Sequence, residues 1–261
     1  MIILRDRHLH AACFAEIDAA ISEMLAEASD NRLVAINAHS DPSSIPPGAI
    51  VYNLENVGIQ VSADAFPEHE IWDFSKGNVA LWLEHRSRHR KQDVIDPPVY
   101  HMPVGYHRSM ERFTVRSWED RDVDVVLTGA PNERRTRILN ELRANGYHTI
   151  LLSAPYGRKR DDILSRCRLA IGPLFYPDGL FPVLRSAHCA ANRLAIIAEQ
   201  AREAPAWHHP SPVPYDELVA SAITLLKGGE SLIADTARAA YDRFRAAPLR
   251  LPLGSDTRIQ E

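Results

Sequence analysis

The stretch from Gly129 to Arg135, GAPNERR, combines residues that could bind an anion. Glycine has no Cβ and lets a ligand approach the backbone closely. Asn132 stands where it can cap a helix, and the free N–H groups of a helix start attract negative charge. Arg135, with Arg134 beside it, adds guanidinium donors suited to phosphate. Helices favour acidic residues in their first turn, so two arginines there favour a phosphate site over an ordinary strand–turn–helix junction.

Four further residues could contact a phosphate-bearing ligand. Arg185 and Ser186 lie early in a predicted helix, where the arginine could meet a diphosphate or a nucleobase carbonyl, or could equally lie on the surface. Tyr156 and Gly157 follow a predicted strand, where the tyrosine could stack on a nucleobase or wall its site. A tyrosine that only fills its own loop is the equal alternative.

The composition is that of a globular protein without a bias toward polyanions. The chain has 261 residues, 45% of them hydrophobic and 25% charged, with a net charge of -4. These values predict one large domain or two ordinary ones and no nucleic-acid partner. Three widely separated cysteines form neither a disulfide framework nor a CxxC motif, so we expect a cytoplasmic protein. We expect no transmembrane segment and no signal peptide, because no run approaches the roughly 18 apolar residues of a span.

Apolar periodicity predicts alternating helices and strands. In the first third, the predicted helices cover 11–29 and 77–85, and the predicted strands cover 32–39, 49–55, 70–75 and 99–106. Further along, the predicted strands cover 123–129, 147–154 and 193–199, and the predicted helices cover 133–145, 160–170, 182–192, 215–227 and 230–246. Strands separated by helices indicate parallel sheets and an α/β fold.

A charged segment divides these elements into two sets and predicts two domains. The expected parts are an N-terminal domain over 1–106, a linker over 107–122, a C-terminal domain over 123–230, and a closing helix with a tail over 231–261. The simplest architecture is a pair of Rossmann-like domains that face each other across a cleft. Ligands of parallel sheets bind beyond the carboxyl ends of the strands, so these ends are where a site is expected.

Several segments resemble one group of bacterial enzymes. The segments are IVYNLEN, IWDFSKGN, VYHMPVGYH, DVVLTGAPNERRTRIL and FPVLRSAHCAANRLAIIAE. In order and spacing they resemble glycosyltransferases of the GT-B type, in particular a subset with NLE, WDYS-N, P-GY and GS-NERR patterns. The resemblance runs from about residue 49 to 246. It implies a metal-independent transferase with two domains, in which a nucleoside-diphosphate sugar lies against the C-terminal domain and the acceptor on the N-terminal side.

The resemblance also implies roles for individual residues. Donor contacts would come from Gly129, Arg135, Tyr156, Arg185 and Ser186. On the N-terminal side, His101 is the candidate for orienting the donor. His101 could orient the donor phosphates or sugar, or it could pack at the hinge between the domains.

A transfer that inverts the anomeric centre needs a base for the acceptor hydroxyl. Glu55, Asp73 and His39 qualify, because each follows or ends a predicted strand. Aromatic neighbours could raise the pKa of Asp73 by desolvation. Alternatively, Asn53 with Glu55 and Asp73 with Asn78 could form polar networks that hold loops and do no chemistry.

No metal site is predicted. Asp122 and Asp124 form a DxD pair, but they open a strand, whereas in metal-using transferases of the other main fold the pair ends one. His208 and His209 lie in a proline-rich loop without a third ligand nearby in the sequence, which indicates surface histidines.

Two departures from the family pattern support another hypothesis. Arg185 stands at roughly the place where relatives carry a glutamate that contacts the donor ribose. The N-terminal domain is shortened and lacks the glycine-rich phosphate loop of many relatives. The alternative is therefore a catalytically degenerate GT-B-like binding or scaffold subunit; a Rossmann-like hydrolase or epimerase is a third and weaker possibility.

Overall fold

The protein, seen here in a computed structural model, divides into two compact units. The first unit holds the described residues of Met1–Val104 and Leu249–Glu261, and the second unit is Gly105–Pro248. The structure describes residues 3–5, 15–37, 39, 41–89, 95–153 and 156–253. Each unit is a mixed α/β structure built on a parallel sheet, which confirms the predicted α/β class.

The first unit has a five-stranded sheet in the order β1-β2-β3-β4-β5. Its elements are β1 Ile3–Arg5, α1 Ala15–Glu27, β2 Val34–Ile36, β3 Ile50–Asn53, β4 Glu70–Asp73, α2 Lys76–His89 and β5 Val99–His101. The residues of β2 and β3 are all buried, as expected of parallel strands covered on both faces. Asn53, Asp73 and His101 are in register at the carboxyl edge of this sheet.

The second unit has a four-stranded sheet in the order β7-β6-β8-β9. Its elements are β6 Val123–Thr128, α3 Glu133–Ala144, β7 Thr149–Leu152, α4 Arg158–Ser165, β8 Cys167–Gly172, α5 Val183–Ala191, β9 Ile196–Ala198, α6 Leu218–Lys227 and α7 Gly229–Arg245. From β6 the chain moves outward to β7, and from β8 it moves in the opposite direction to β9. The strand order therefore reverses between β6 and β8, and the carboxyl ends of such strands are where open parallel sheets bind ligands.

Helices cover both faces of the second sheet. On one face, Val125, Leu127, Leu169 and Ile171 pack in a cluster with residues of α3, α6 and α7. On the other face, Val126 and its neighbours pack against residues of α4 and α5. Full burial of each such aliphatic side chain contributes about 1.5–3 kcal/mol, so the two clusters fix the ends of β6 and β8 firmly.

The predicted helix over 160–170 is wrong in its second half. The helix ends at Ser165, and Cys167–Gly172 forms β8, a strand between β6 and β9. Both faces of this strand are covered, so its buried residues show no alternation of polar and apolar types. A short run that is apolar apart from Arg168 cannot be assigned to a helix or a strand from its periodicity alone.

Element ends differ from prediction at several other places. β1 was not predicted, and β2 is shorter than the predicted 32–39, since the chain leaves the sheet at Asn37 with φ of 52°. The caps of α3 are confirmed: Asn132 is the N-cap, and Gly146 follows the C-cap with φ of 86°. Predicted residues 11–14, 38 and 154 lie outside the described residues. Among the described helices, none combines the length and the apolar character needed to cross a bilayer.

Candidate functional site

The turn after β6 brings a guanidinium group back over the end of its own strand. The chain leaves β6 at Gly129 with φ of 118°, a conformation that favours glycine. Asn132 then caps α3, and its Oδ1 accepts a hydrogen bond of 2.9 Å from the backbone N–H of Arg135. The Arg135 side chain folds back and donates from Nη1 to the Ala130 carbonyl at 2.7 Å. Seven consecutive residues thus build one side of the site.

A second guanidinium group reaches the same place from α5. A Cβ added to Gly129 would lie 2.9 Å from Nη1 of Arg135 and 3.0 Å from Nη2 of Arg185. Both arginines therefore converge on the surface that this glycine leaves open. Sequence analysis named all three residues, and the structure brings them together.

Neither arginine forms an ion pair within the described part of the chain. Besides Ala130, Arg135 donates only to the Pro173 carbonyl, at 3.5 Å, and Arg185 forms no ion pair there. Nε of Arg135 and Nη1 of Arg185 are buried and lack a hydrogen-bond partner. The site therefore presents two positive charges with donor groups that the described residues leave unused.

Burial makes these charges costly. It lowers the pKa of Arg185 to about 10. Burial, followed by the positive charge of Arg185, lowers the pKa of Arg135 to about 9, with Glu199 opposing the shift. A bound anion would offset both effects by supplying the missing countercharge.

Two helix N-termini add to the positive character of this edge. α3 begins beside Gly129, and α5 begins at Val183 after Pro182, which makes no side-chain cap. Free N–H groups and the helix dipole favour an anion at such positions, by about 0.3–1 kcal/mol each. Ser186, in the first turn of α5, is fully buried, and its Oγ has no hydrogen-bond partner. The hydroxyl is thus one more donor without an acceptor.

The loop after β8 is anchored to the same residues. Asn132 donates from Nδ2 to the Phe175 carbonyl at 2.9 Å, and the Arg135 guanidinium lies 5.1 Å from the centre of the Phe175 ring. The rings of Phe175 and Tyr176 meet edge to face at 4.9 Å, yet their residues are 37% and 40% exposed. An anchored loop with exposed aromatic rings offers a contact surface next to the arginines.

The neighbouring arginine is neutralised. Arg134 forms an ion pair with the buried carboxylate of Glu199, whose other oxygen accepts a 2.7 Å bond from the Leu174 backbone N–H. The Arg134 guanidinium also lies 4.0 Å from the centre of the Tyr215 ring. The geometry thus favours Arg135 over Arg134 as the anion ligand.

Tyr156 and Gly157 lie at the start of α4, after the outer strand β7. Tyr156 is half-buried, and Gly157 is the N-cap of α4 with φ of 62°. Their predicted contact with a nucleobase stays a prediction.

In the first unit, Asp73 is the centre of a closed hydrogen-bond network. Its carboxylate has no exposed surface and accepts four bonds: from Asn53 at 2.7 Å, Trp82 at 2.9 Å, the Ser75 N–H at 2.9 Å and Asn78 at 3.0 Å. Burial raises the pKa of Asp73 to about 7, although these four donors lower it. Since protein donors occupy both oxygens, the geometry favours the structural alternative for Asp73 over the role of a base.

The other candidates for a base lie beside this network. Glu55 is half-buried, and its Oε1 accepts a 3.3 Å bond from Asn37. Its backbone carbonyl is held by Asn53 at 2.9 Å and by Asn78 at 2.8 Å. The Asp73 network therefore positions Glu55, whose carboxylate is the more accessible of the two. The half-buried His39 follows β2 in the next turn.

His101 ends β5 and interacts through Nε2 with the Phe74 carbonyl at 3.2 Å. This contact holds it against the turn that follows β4. Its predicted contact with a donor is untested.

The two aspartates of the DxD pair are engaged in ion pairs. Asp122 pairs with Arg166, and Asp124 pairs with Arg168 at 2.6 Å and accepts from the His148 N–H at 2.8 Å. These contacts support their interpretation as residues at the entry of a strand.

Sequence reasoning missed that Cys167–Gly172 is a strand, and it missed the ion pair of Arg134. The Pro173 carbonyl and the Phe175 ring join the site only because β8 lies beside β6. The run CRLAIG, followed by proline, was the available signal, since glycine and proline often mark the end of a strand.

Comparisons with known proteins find likeness in structure only. Neither the family models nor the curated proteins give a match. The chain is similar to a chain of the GtfA/B complex, with TM-score 0.42 and 9% identity over 87% of this chain and 57% of that one. It is similar to AviGT4, a glycosyltransferase involved in avilamycin A biosynthesis, with TM-score 0.46 and 10% identity over 92% of this chain and 86% of that one.

A third similar structure contains accessory secretory proteins 1, 2 and 3 of Streptococcus pneumoniae, with TM-score 0.42, 9% identity, and coverage of 89% and 52%. The chain thus spans little more than half the length of the GtfA/B and accessory-protein chains. Glycosyltransferases are among its structural neighbours, but at these identities and TM-scores the likeness carries no argument about function.

Proposed function

We propose that the second unit binds the diphosphate of a nucleoside-diphosphate sugar, and that the protein is a metal-independent glycosyltransferase. The observation that carries the proposal is the convergence of Arg135 and Arg185 on Gly129, where neither forms an ion pair with a described residue and each keeps a buried nitrogen without a hydrogen-bond partner. Their position at the reversal of strand order is where a parallel sheet binds ligands. The sequence resemblance to GT-B enzymes supports the same assignment.

A diphosphate matches this site in charge and in hydrogen bonding. Two guanidinium groups, the Ser186 hydroxyl and the N-termini of α3 and α5 supply donors, and a diphosphate supplies acceptors on two linked groups. In sugar transfer the diphosphate departs with additional negative charge. Fixed donors in a buried setting stabilise that charge, which is the role a metal ion has in other transferases.

The transfer would use Glu55 as the base. The acceptor oxygen bonds to the anomeric carbon, the bond from that carbon to the phosphate oxygen breaks, and the hydroxyl proton passes to the Glu55 carboxylate. The products are the glycosylated acceptor and a nucleoside diphosphate. Asp73 contributes by fixing Asn53 and Asn78, which hold the backbone carbonyl of Glu55.

The alternative is a catalytically degenerate binding or scaffold subunit. The observation that favours it is the enclosure of Asp73, which removes one of the candidate bases from contact with an acceptor. Such a protein would bind nucleoside diphosphates at the same arginines but would transfer no sugar.

Binding is tested by calorimetric titration of uridine and guanosine diphosphates in the presence of a chelator. Hydrogen bonds to charged groups contribute about 1.5–3 kcal/mol each, so Arg135→Ala and Arg185→Ala should each weaken binding roughly ten- to hundredfold. Arg137→Ala, which removes an exposed arginine of the same helix, is the matched control and should leave binding within about threefold. Equal losses in all three variants, or no binding to the wild type, would contradict the proposal.

A turnover assay distinguishes the glycosyltransferase from the binding or scaffold subunit. Wild-type protein is incubated with a panel of sugar nucleotides, and release of the nucleoside diphosphate is followed with Glu55→Gln as the comparison. Release that depends on Glu55 supports the transferase. Tight binding without release from any donor, with and without candidate acceptors, supports the binding subunit.

A further inference from the structure

Glu199 directly follows β9 and carries a buried carboxylate close to Arg135. The residue is 5% exposed. One carboxylate oxygen, Oε1, pairs with the Arg134 guanidinium, and the other, Oε2, accepts the 2.7 Å bond from the Leu174 N–H. A buried carboxylate needs such partners, because taking a charge out of water is costly. These two contacts therefore decide where the negative charge lies.

A single peptide group lies between the Glu199 carboxylate and the Arg135 guanidinium. The N–H of Leu174 donates to Glu199, and the carbonyl oxygen of the same peptide group, which belongs to Pro173, lies 3.5 Å from Nη2 of Arg135. The charge of Glu199 also acts on Arg135: burial and the Arg185 charge lower the pKa of Arg135, and Glu199 opposes them. Glu199 is thus an alternative anion for Arg135, and one that is already part of the chain.

Three contacts hold Arg134 in place beside Glu199. The Arg134 guanidinium forms the ion pair with the carboxylate and lies 4.0 Å from the centre of the Tyr215 ring. The Tyr215 hydroxyl donates to the Arg134 carbonyl at 2.9 Å. The segment that carries Tyr215 is attached to the end of β9, because Val213 forms a β-bridge with Glu199. The arginine, the ring and the carboxylate are therefore fixed to one another.

We propose that Arg134 is a positioning residue, which holds the Glu199 carboxylate away from Arg135 and so keeps Arg135 available to the diphosphate. This inference rests on the proposed function of the second unit. Without Arg134, the carboxylate loses its ion-pair partner, and rotation of its side chain toward Arg135 would restore one. A diphosphate would then have to displace the carboxylate, and two negative charges close together repel each other.

The test is a calorimetric titration of uridine and guanosine diphosphates, with a chelator, into full-length variants. Arg134→Met removes the partner of Glu199 and should weaken binding about tenfold or more. The double variant Arg134→Met, Glu199→Gln also removes the carboxylate charge, so its affinity should return to within about threefold of wild type. Arg137→Met removes an exposed charge from the same helix, α3, and is the matched control that should bind within about threefold of wild type.

Two further variants test whether the effect of Arg134 acts through the charge of Glu199. Arg134→Lys keeps a positive charge beside Glu199 and should bind more tightly than Arg134→Met does. Glu199→Gln alone should bind at least as tightly as wild type, because Arg135 then has no competing carboxylate; weaker binding would contradict the inference. Circular dichroism verifies the fold of each variant, and Arg134→Gln repeats the test if Arg134→Met fails to fold.

Each outcome of the titration decides for or against the inference. Restored affinity in the double variant supports it, whereas a double variant as weak as Arg134→Met shows that Arg134 contacts the diphosphate itself and overturns it. Equal losses in Arg134→Met and Arg137→Met also overturn it, since the loss then follows net charge alone. Unchanged binding by Arg134→Met, with losses in Arg135→Ala and Arg185→Ala, overturns this inference and leaves the proposed function intact. No binding by the wild type overturns both.

Discussion

The two units each contain a buried polar cluster at the carboxyl edge of a sheet. The clusters differ in whether their hydrogen-bond donors have acceptors. In the first unit, one acceptor, the Asp73 carboxylate, receives four protein donors. In the second unit, Arg135, Arg185 and Ser186 bury donors for which the described residues provide no acceptor.

This difference separates a cluster that stabilises the fold from one that, in the proposed function, binds a ligand. A buried group with its partners in place stabilises the chain, whereas a buried donor without an acceptor costs about 1–3 kcal/mol and more if it is charged. The arginine cluster therefore lowers stability in the free protein. An anion that completes it would recover that free energy as binding affinity.

The largest expected effect is the loss of the Asp73 carboxylate. Asp73→Ala should lower the free energy of unfolding by about 3–5 kcal/mol, because Asn53, Asn78 and Trp82 would keep buried donors without an acceptor. The control is Asp235→Ala, which removes an exposed ion pair with Arg238 and should cost less than about 0.5 kcal/mol. Urea unfolding monitored by circular dichroism measures both, and similar losses in the two variants would contradict a special role for the network.

The pH dependence of stability tests whether burial or the four donors dominate at Asp73. Because folding raises the pKa from 3.8 to about 7, this group contributes stability that is complete below pH 3.8 and lost as pH rises to about 7. The unfolding free energy of wild type minus that of Asp73→Asn should therefore fall by roughly 3 kcal/mol between pH 4 and pH 7. A difference that is constant over this range would show that the donors hold the pKa near its ordinary value.

Removal of the Arg185 charge is expected to stabilise the free protein, in contrast to removal of the Asp73 carboxylate. Arg185→Met should raise the unfolding free energy of the free protein by about 1–2 kcal/mol, since it removes a half-buried charge that has no ion-pair partner among the described residues, while it weakens diphosphate binding. Arg134→Met is the counterpart: it breaks an ion pair, leaves Glu199 buried without its partner, and should destabilise the protein. Thermal unfolding with and without diphosphate measures both variants, and destabilisation by Arg185→Met would mean that Arg185 is satisfied in the free protein.

The smallest expected effect comes from alanine at Gly129. Comparison with alanine at Gly146 separates the cost of backbone strain from that of crowding the arginines. Gly129→Ala and Gly146→Ala both place a Cβ on a residue with positive φ, which costs about 1 kcal/mol. Only at Gly129 would the new Cβ contact guanidinium nitrogens, whereas at Gly146 nothing lies within 4 Å. Gly129→Ala alone should therefore reduce diphosphate affinity, by about tenfold, in the same titration as above. Equal affinities in the two variants would place the anion elsewhere.

Much of the proposed anion site could be predicted because several of its residues lie within seven consecutive positions, Gly129 to Arg135. Gly129, Asn132 and Arg135 are close enough for a glycine turn and a helix cap to specify their arrangement. The hydrogen bond from the Arg135 N–H to the Asn132 side chain confirms the cap that was predicted from residue types alone. Arg185 could be named as a candidate, but its convergence on Gly129 could not, since it depends on how β6, β8 and α5 pack.

The first unit shows the same limit. Asp73 was a candidate base, with a polar network formed with Asn78 as the alternative, and the sequence offered no means of choosing. The choice depends on Trp82 and on strand register, which places Asn53 beside Asp73. The roles of Glu55, His39, Tyr156 and His101 stay predictions.

The sequence by itself determined the α/β class, the caps of α3 and the residue types gathered at the strand ends, because apolar periodicity and capping act over a few neighbouring residues. Only the tertiary structure decided that β8 is a strand, that Glu199 forms its ion pair with Arg134 and not with Arg135, and that Asp73 is enclosed. The physical reason is that a buried charge is compensated by whichever groups packing brings within about 3 Å, and these groups come from distant parts of the chain.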